Sequence, residues 1–364
     1  MMRLRNKARW PGNRPAAAFL RLLAMLALAG IPLVRPAGAH AQQEAEKTPS
    51  PSFEFHSGFW INLHHFLYLQ GRLRNNPGGE AKSGYVLNVD SPTPMTPAEQ
   101  KSWDAALAVY AADWSSRDLA HNGIMVLINN RLAELENCPE LAGKSAPECT
   151  SGLQPELVTA LDEAAPIYRA LWWEQQDREN RAWIVAVAPL VRRMGARLGA
   201  ELSEVYQSAW PEGRYRVDVS WYAGPDGAYT SLDPVHLTIA SHDPRNQGLP
   251  GFEMLFQQAS YAVAEGVDRT ITRQCRQLSK PIPRDLFPSL LLYTTAELVR
   301  RTFGDTPESA GLPATREHNA DAYREGLRAH GWADYQDALE RYWQLYIDGQ
   351  ISLDTAISRI VAVQ

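Results

Sequence analysis

Strand texture is confined to one short stretch of this chain, and helical texture lies on both sides of it. From Arg214 to Tyr222 the residues alternate with period two, Tyr215, Val217 and Val219 against Arg216, Asp218 and Ser220. Such alternation is what a strand with unlike faces requires. Pro225-Asp-Gly227 supplies a turn, and Ala228–Leu232 and Val235–Ser241 supply two further strands. Residues 57–210 carry helical spacing instead. A helix begins near Ser57, and Thr96-Pro-Ala-Glu99 is a capping box with proline at the first helical position. Further helices are expected from Ser116 to about Glu136, Gln154 to Ala165, Ile167 to Gln176 and Asn180 to Gln207. Helical signals return at Arg316–Ala329, Gly331–Tyr346 and Ser352–Val361. The expected fold class is α+β, mostly helical, with a small antiparallel or mixed sheet. The expected division is a helical half over 57–210 and a half with the sheet and more helices over 211–364.

The first forty-one residues read as an export signal. Six basic residues between Arg3 and Arg21 precede an apolar core over 22–34, and Ala39-His40-Ala41 is a small-x-small cleavage site. The core is about thirteen residues, short of the ~20 that a spanning helix needs. Cleavage after Ala41 implies a periplasmic or secreted bacterial protein with no membrane span, and residues 42–56 read as a flexible lead-in. The leader contains seven of the 36 Lys and Arg and none of the 41 acids, so the remainder carries 29 basic against 41 acidic residues, a formal −12. An acidic chain without basic runs is a poor partner for nucleic acid. Cys138 and Cys149 bracket a loop-like run, and an oxidising compartment favours a disulfide between them, with Cys275 left as a buried thiol.

The segment Gly251–Gly266 reads as a helix, and its phase places three polar residues at an informative spacing. Phe256-Gln257-Gln258-Ala259-Ser260-Tyr261 resembles the active-site helix of gluzincin-type zinc metallopeptidases, which reads F-H-E-A-S-H. Under H-E-x-x-H, Gln257 and Tyr261 stand where the two histidines belong, and Gln258 stands where the catalytic glutamate belongs. Residues at i and i+4 share a helix face, so two imidazoles there grip one zinc while the glutamate takes a proton from zinc-bound water. Glutamine is no base, and a tyrosine phenol must first lose a proton near pH 10. The resemblance covers roughly residues 235–303, with a strand ahead of the helix as gluzincins have. It implies a zincin-like scaffold without a metal cofactor. It also implies that Glu297, on a helix over Leu290–Arg301, stands where the third ligand belongs, with Tyr293 beside it. Pro288 falls where an active relative carries an additional histidine. The plain alternative remains open, because Phe252, Leu255, Phe256, Ala259 and Val263 have the spacing of any core-facing helix.

Other candidates are thinner. Glu253 and Glu265 fall in one column with Gln257 and Tyr261, either lining a polar cleft or forming a solvated edge. His64 and His65 point about 100° apart on a helix and cannot share one metal, although His65 can face a cleft. His236 and His242 flank the strand before the degenerate helix. Trp172-Trp173 and Trp221-Tyr222 are more simply core than a carbohydrate platform. No G-x-S-x-G, P-loop, G-x-G-x-x-G or C-x-x-C is present. Three functions stay in view. The first is an exported pseudo-metallopeptidase, not an enzyme, holding a peptide or protein in the former active-site cleft. The second is a hydrolase of another class using Glu253, Glu297 and His236, and the third is an exported structural or interaction protein.

Overall fold

The computed structural model describes residues 50–76, 87–304 and 322–364. All of them belong to one compact unit, Thr48–Gln364. Residues 1–49, which hold the expected export signal and the start of the expected lead-in, and the segments 77–86 and 305–321 lie outside the described residues.

Four strands form one mixed sheet. In chain order they are β1 (Ser52–His56), β2 (Arg214–Ser220), β3 (Ala228–Leu232) and β4 (Val235–Ala240), arranged β1-β2-β4-β3. β1 and β4 run parallel to β2, and β3 runs antiparallel to β4 at the far edge. The fold is α+β, mostly helical with this small mixed sheet. β1 corrects the reading of 42–56 as a flexible lead-in. Phe53 and Phe55 alternate on one face, and Phe53 meets the rings of Tyr215 and Phe256, so burial pins five residues against a strand far along the chain.

The helices follow from local signals with some shifts. α1 is Phe59–Asn75 and α2 is Pro97–Val109, whose N-terminus is the expected reciprocal box between Thr96 and Glu99. α3 (Gly123–Glu134) starts later than expected. Asp118 accepts from the backbone N–H groups of Ala120 and His121, and this turn displaces the start to an Asn122 cap. α4 (Pro155–Tyr168) continues through a π turn at Arg169–Trp173 into α5 (Glu174–Tyr206), so three expected helices are one run. α6 (Leu249–Ser260) is shorter than Gly251–Gly266, and α7 (Glu265–Gln277) begins a new direction. α8 is Leu286–Gly304, α9 is Ala322–Ala329, and α10 is Leu353–Val363 behind a Ser352 cap.

The sheet separates two cores. Tyr215, Val217, Val219, Leu237 and Ile239 face a cluster built with α5, α6, α7, α8 and α10. The opposite cluster joins α1, α2, α3 and α4, with Trp221, Tyr222 and Tyr229 from the sheet side. Each core therefore draws residues from both sides of position 210. α6 lies against the first cluster by Phe252, Leu255, Phe256 and Ala259, all fully buried. Its start is held where Trp183 Nε1 donates to the Asn246 carbonyl at 2.7 Å. A Cβ on Gly251 would lie 2.2 Å from that same carbonyl oxygen, so the approach requires glycine. Asn246 also donates to the carbonyls of Gly227 and Ala240, which fixes the edge hairpin relative to α6. Cys138 and Cys149 are disulfide-bonded with Cα atoms 5.6 Å apart, and Cys275 is free and buried. Among the described residues no helix is long and apolar enough to cross a membrane.

Candidate functional site

One face of α6 opens onto a cleft of about 960 Å³. Its walls are α6, the edge strand β3, the start of α8, the Ser116–His121 turn and the segment around His330 and Trp332. Gln257, Gln258 and Tyr261 all line it, and so does Pro288. The three positions singled out on the helix are therefore brought together on one wall of the cleft, although Tyr261 is the first residue past the helix end.

Each of the three has a distinct state. The Thr230 hydroxyl donates to the Gln258 side-chain oxygen at 2.9 Å and to its backbone oxygen at 3.0 Å, tying helix to strand. Gln257 is 7% exposed, and its amide has no hydrogen-bond partner among the described residues. The amide polar atoms open onto the cleft rather than being sealed in the core, so they are free to meet a ligand or water there. Tyr261 packs edge-to-face on Phe287 with centroids 5.7 Å apart. Burial, aided by the nearby Asp226 carboxylate, pushes its phenol up to about 12, so it stays neutral at ordinary pH.

β3 contributes more than a wall. Ala240 N–H donates to the Gly227 carbonyl, which sets the phase of the antiparallel ladder. With alternating pairs, Tyr229 and Ser231 bond inward to β4, while the backbone groups of Ala228, Thr230 and Leu232 point away from it. Thr230 and Leu232 line the cleft, so a strand edge with no partner strand among the described residues borders α6. The turn that starts β3 is held by Arg245, which donates to the Pro225 carbonyl at 2.7 Å and pairs with Asp243. A Cβ on Gly227, at φ +76°, would lie 2.4 Å from an Asp243 oxygen.

Several expected site residues lie elsewhere. Glu297 does not face Gln257. It sits more than two turns into α8, bound by Arg300 and Arg301 at 2.7–2.8 Å, because its i+3 and i+4 neighbours are the nearest cations. Tyr293 is buried and donates to Gln344 at 2.6 Å, away from the cleft. Glu253 is partly buried but does not line the cleft, and Glu265 pairs with Arg269 on α7. His236 lies on the other face of the sheet, 2.6 Å from Asp218 and 2.9 Å from Asn130. Its strand ends at Ala240, so His242 leaves that face and stacks on Trp221 beside Glu179. His65 is fully buried behind the cleft wall, bonded to the Tyr229 hydroxyl at 2.8 Å, and burial lowers its ring to about 3. His64 is likewise buried, against Tyr110.

Beneath the sheet runs an ion network that sequence spacing did not disclose. Asp218 is fully buried, and Arg216 reaches it at 2.6 Å while also touching Glu136. Burial alone would raise the Asp218 carboxyl, but hydrogen bonds from His236 and Arg216 outweigh it and hold the group far below the carboxylate range. In the cleft itself the residues missed are Thr230, Asp226, Arg284, His330 and Trp332. Only Asp226 carried a signal, its Pro-Asp-Gly turn.

The donor set does not fit zinc. The two histidine positions hold a neutral amide and a protonated phenol, the base position holds an amide engaged by Thr230, and Glu297 is absent from the cleft. A second groove of about 910 Å³ lies between α4 and the disulfide loop. One of its carboxylates, Asp162, is already taken by the N–H groups of Leu141 and Ala142. Comparison with protein-family models, with curated proteins and with solved structures found no match for this chain.

Proposed function

We propose that this is an exported pseudo-metallopeptidase, a zincin-like scaffold that holds an extended peptide and does not hydrolyse it. One observation carries this reading: among the described residues, a strand edge at Thr230 with no partner strand runs beside the unpaired amide of Gln257 in the same cleft. A peptide added to that edge exchanges backbone bonds with Thr230, and Gln257 can donate to or accept from the same backbone. The leader sequence and the Cys138–Cys149 bond support an oxidising compartment. The hydrolase reading has less support, because Glu253, Glu297 and His236 occupy three different surroundings and none lines the cleft.

Substituting Thr230→Pro tests the proposal. It removes an outward N–H without removing a ladder bond, a position where an edge strand tolerates proline. Isothermal titration of mature protein with a mixed nonapeptide library should give binding for the wild type and its loss for the variant, while Thr230→Val, which loses the same two hydroxyl bonds to Gln258 but keeps the N–H, should still bind. Equal binding by the wild type and Thr230→Pro, or zinc-dependent cleavage of the peptides by the wild type, would refute the reading.

A further inference from the structure

Several groups that face the cleft share one chemistry. Tyr261 and Phe287 present aromatic rings, and Trp332, stacked on His330 at 4.4 Å, presents a third. Asp226 lies within electrostatic reach of the Tyr261 hydroxyl. Its carboxylate is paired with His330 at 3.4 Å, yet its side chain remains 73% exposed, so that pair leaves oxygen surface open. Gln257, nearly buried, directs an unpartnered amide at the same cleft. Aromatic faces, a carboxylate, a neutral hydroxyl and an amide oxygen are the groups that take up an ammonium or guanidinium.

The charges around this point the same way. Asp233, Asp268 and Asp285 line the cleft without a side-chain partner among the described residues. Two of the three arginines are drawn to their own wall. Arg72 donates to the Tyr68 hydroxyl and the Ser115 carbonyl, and Arg117 donates to the Asp113 carbonyl and lies over the Trp114 ring. Arg284 is exposed at the mouth, within electrostatic reach of His121. The chain beyond residue 41 is itself strongly acidic, which steers cationic partners toward it.

Resting on the peptide reading above, we infer that the cleft selects an extended peptide bearing a Lys or Arg side chain, seated between Tyr261, Phe287 and Asp226. The test is a positional-scanning library of acetylated, amidated nonapeptides, about 30 Å long when extended, read by fluorescence anisotropy on the mature protein. Lys and Arg should be enriched at one position by on the order of tenfold over Ala. Affinity for those peptides should fall as NaCl is raised, an arm that needs no variant. Asp226→Lys should invert the preference toward Glu at that position. Peptides that bind regardless of charge and are lost with Thr230→Pro would overturn the basic preference while the cleft reading stands. No binding by any peptide would overturn both.

Discussion

Replacing Glu253 by glutamine should stabilise the protein, and only above a definite pH. Glu253 sits on α6 between Phe252 and Met254, partly buried, with no hydrogen bond or ion pair among the described residues. Burial pushes its carboxyl from the ordinary 4.5 up to about 8. The unfolded glutamate ionises near pH 4.3 while the native one keeps its proton. Native protein therefore binds more protons than unfolded protein between about pH 4.5 and 8, and stability falls across that interval as pH rises. The whole displacement corresponds to roughly 5 kcal/mol. Solvent reaches part of this side chain, and screening leaves about 1–2 kcal/mol as the expected cost. Glu253→Gln keeps the shape and removes the charge. It should raise the unfolding free energy by that amount at pH 8 and leave it unchanged at pH 4.5, as read by urea denaturation followed by circular dichroism. A variant equal to wild type at pH 8, or less stable there, would show that Glu253 is ionised and well solvated, and the argument would fail.

The buried network should respond in the opposite sense. Asp218→Asn leaves Arg216 and His236 without their shared carboxylate, at a cost of about 3–5 kcal/mol near neutral pH. Because the native carboxyl is depressed, its contribution is complete above the ordinary carboxylate range and is lost as pH falls below about 4, so the gap between variant and wild type should narrow there. The zinc chemistry can be tested by restoration. Gln257→His, Gln258→Glu and Tyr261→His together should bind zinc weakly, since Glu297 supplies no third ligand. Adding Pro288→His, from the same cleft, should tighten binding by an order of magnitude or more, as measured by competition with a chromophoric chelator. Equal affinity for the triple and quadruple variants would contradict the placement of Pro288.

Local chemistry made much of this fold legible. The Thr96 box, the Ser352 cap, the three-strand block from Arg214 to Ala240 and the Cys138–Cys149 pair all rest on neighbours close in sequence, and each is found. What was hidden depends on distant partners. The five residues of β1 become a strand only against β2, about 160 positions away. Pro166 suggests a helix break, yet α4 runs through it into a π turn and α5 because buried Tyr168 and Trp172 hold the run in the core. At the site, Gln257, Gln258 and Tyr261, singled out by the resemblance, all line one cleft. The resemblance could not fix how far along α8 the cleft reaches, so Glu297 was assigned to a wall it does not form. Asp218 and His236 are 18 positions apart and meet only because β2 and β4 are neighbours, with Arg216 and His236 in register.

Amide hydrogen exchange at β3, with and without a basic nonapeptide, tests the central claim most directly. A peptide seated on the edge should slow exchange at Thr230 and Leu232, whose N–H groups point away from β4, and leave Tyr229 and Ser231, already bonded inward, little changed. Unchanged exchange along β3 while the peptide is bound, or protection confined to the groove beside Asp162, would contradict the account.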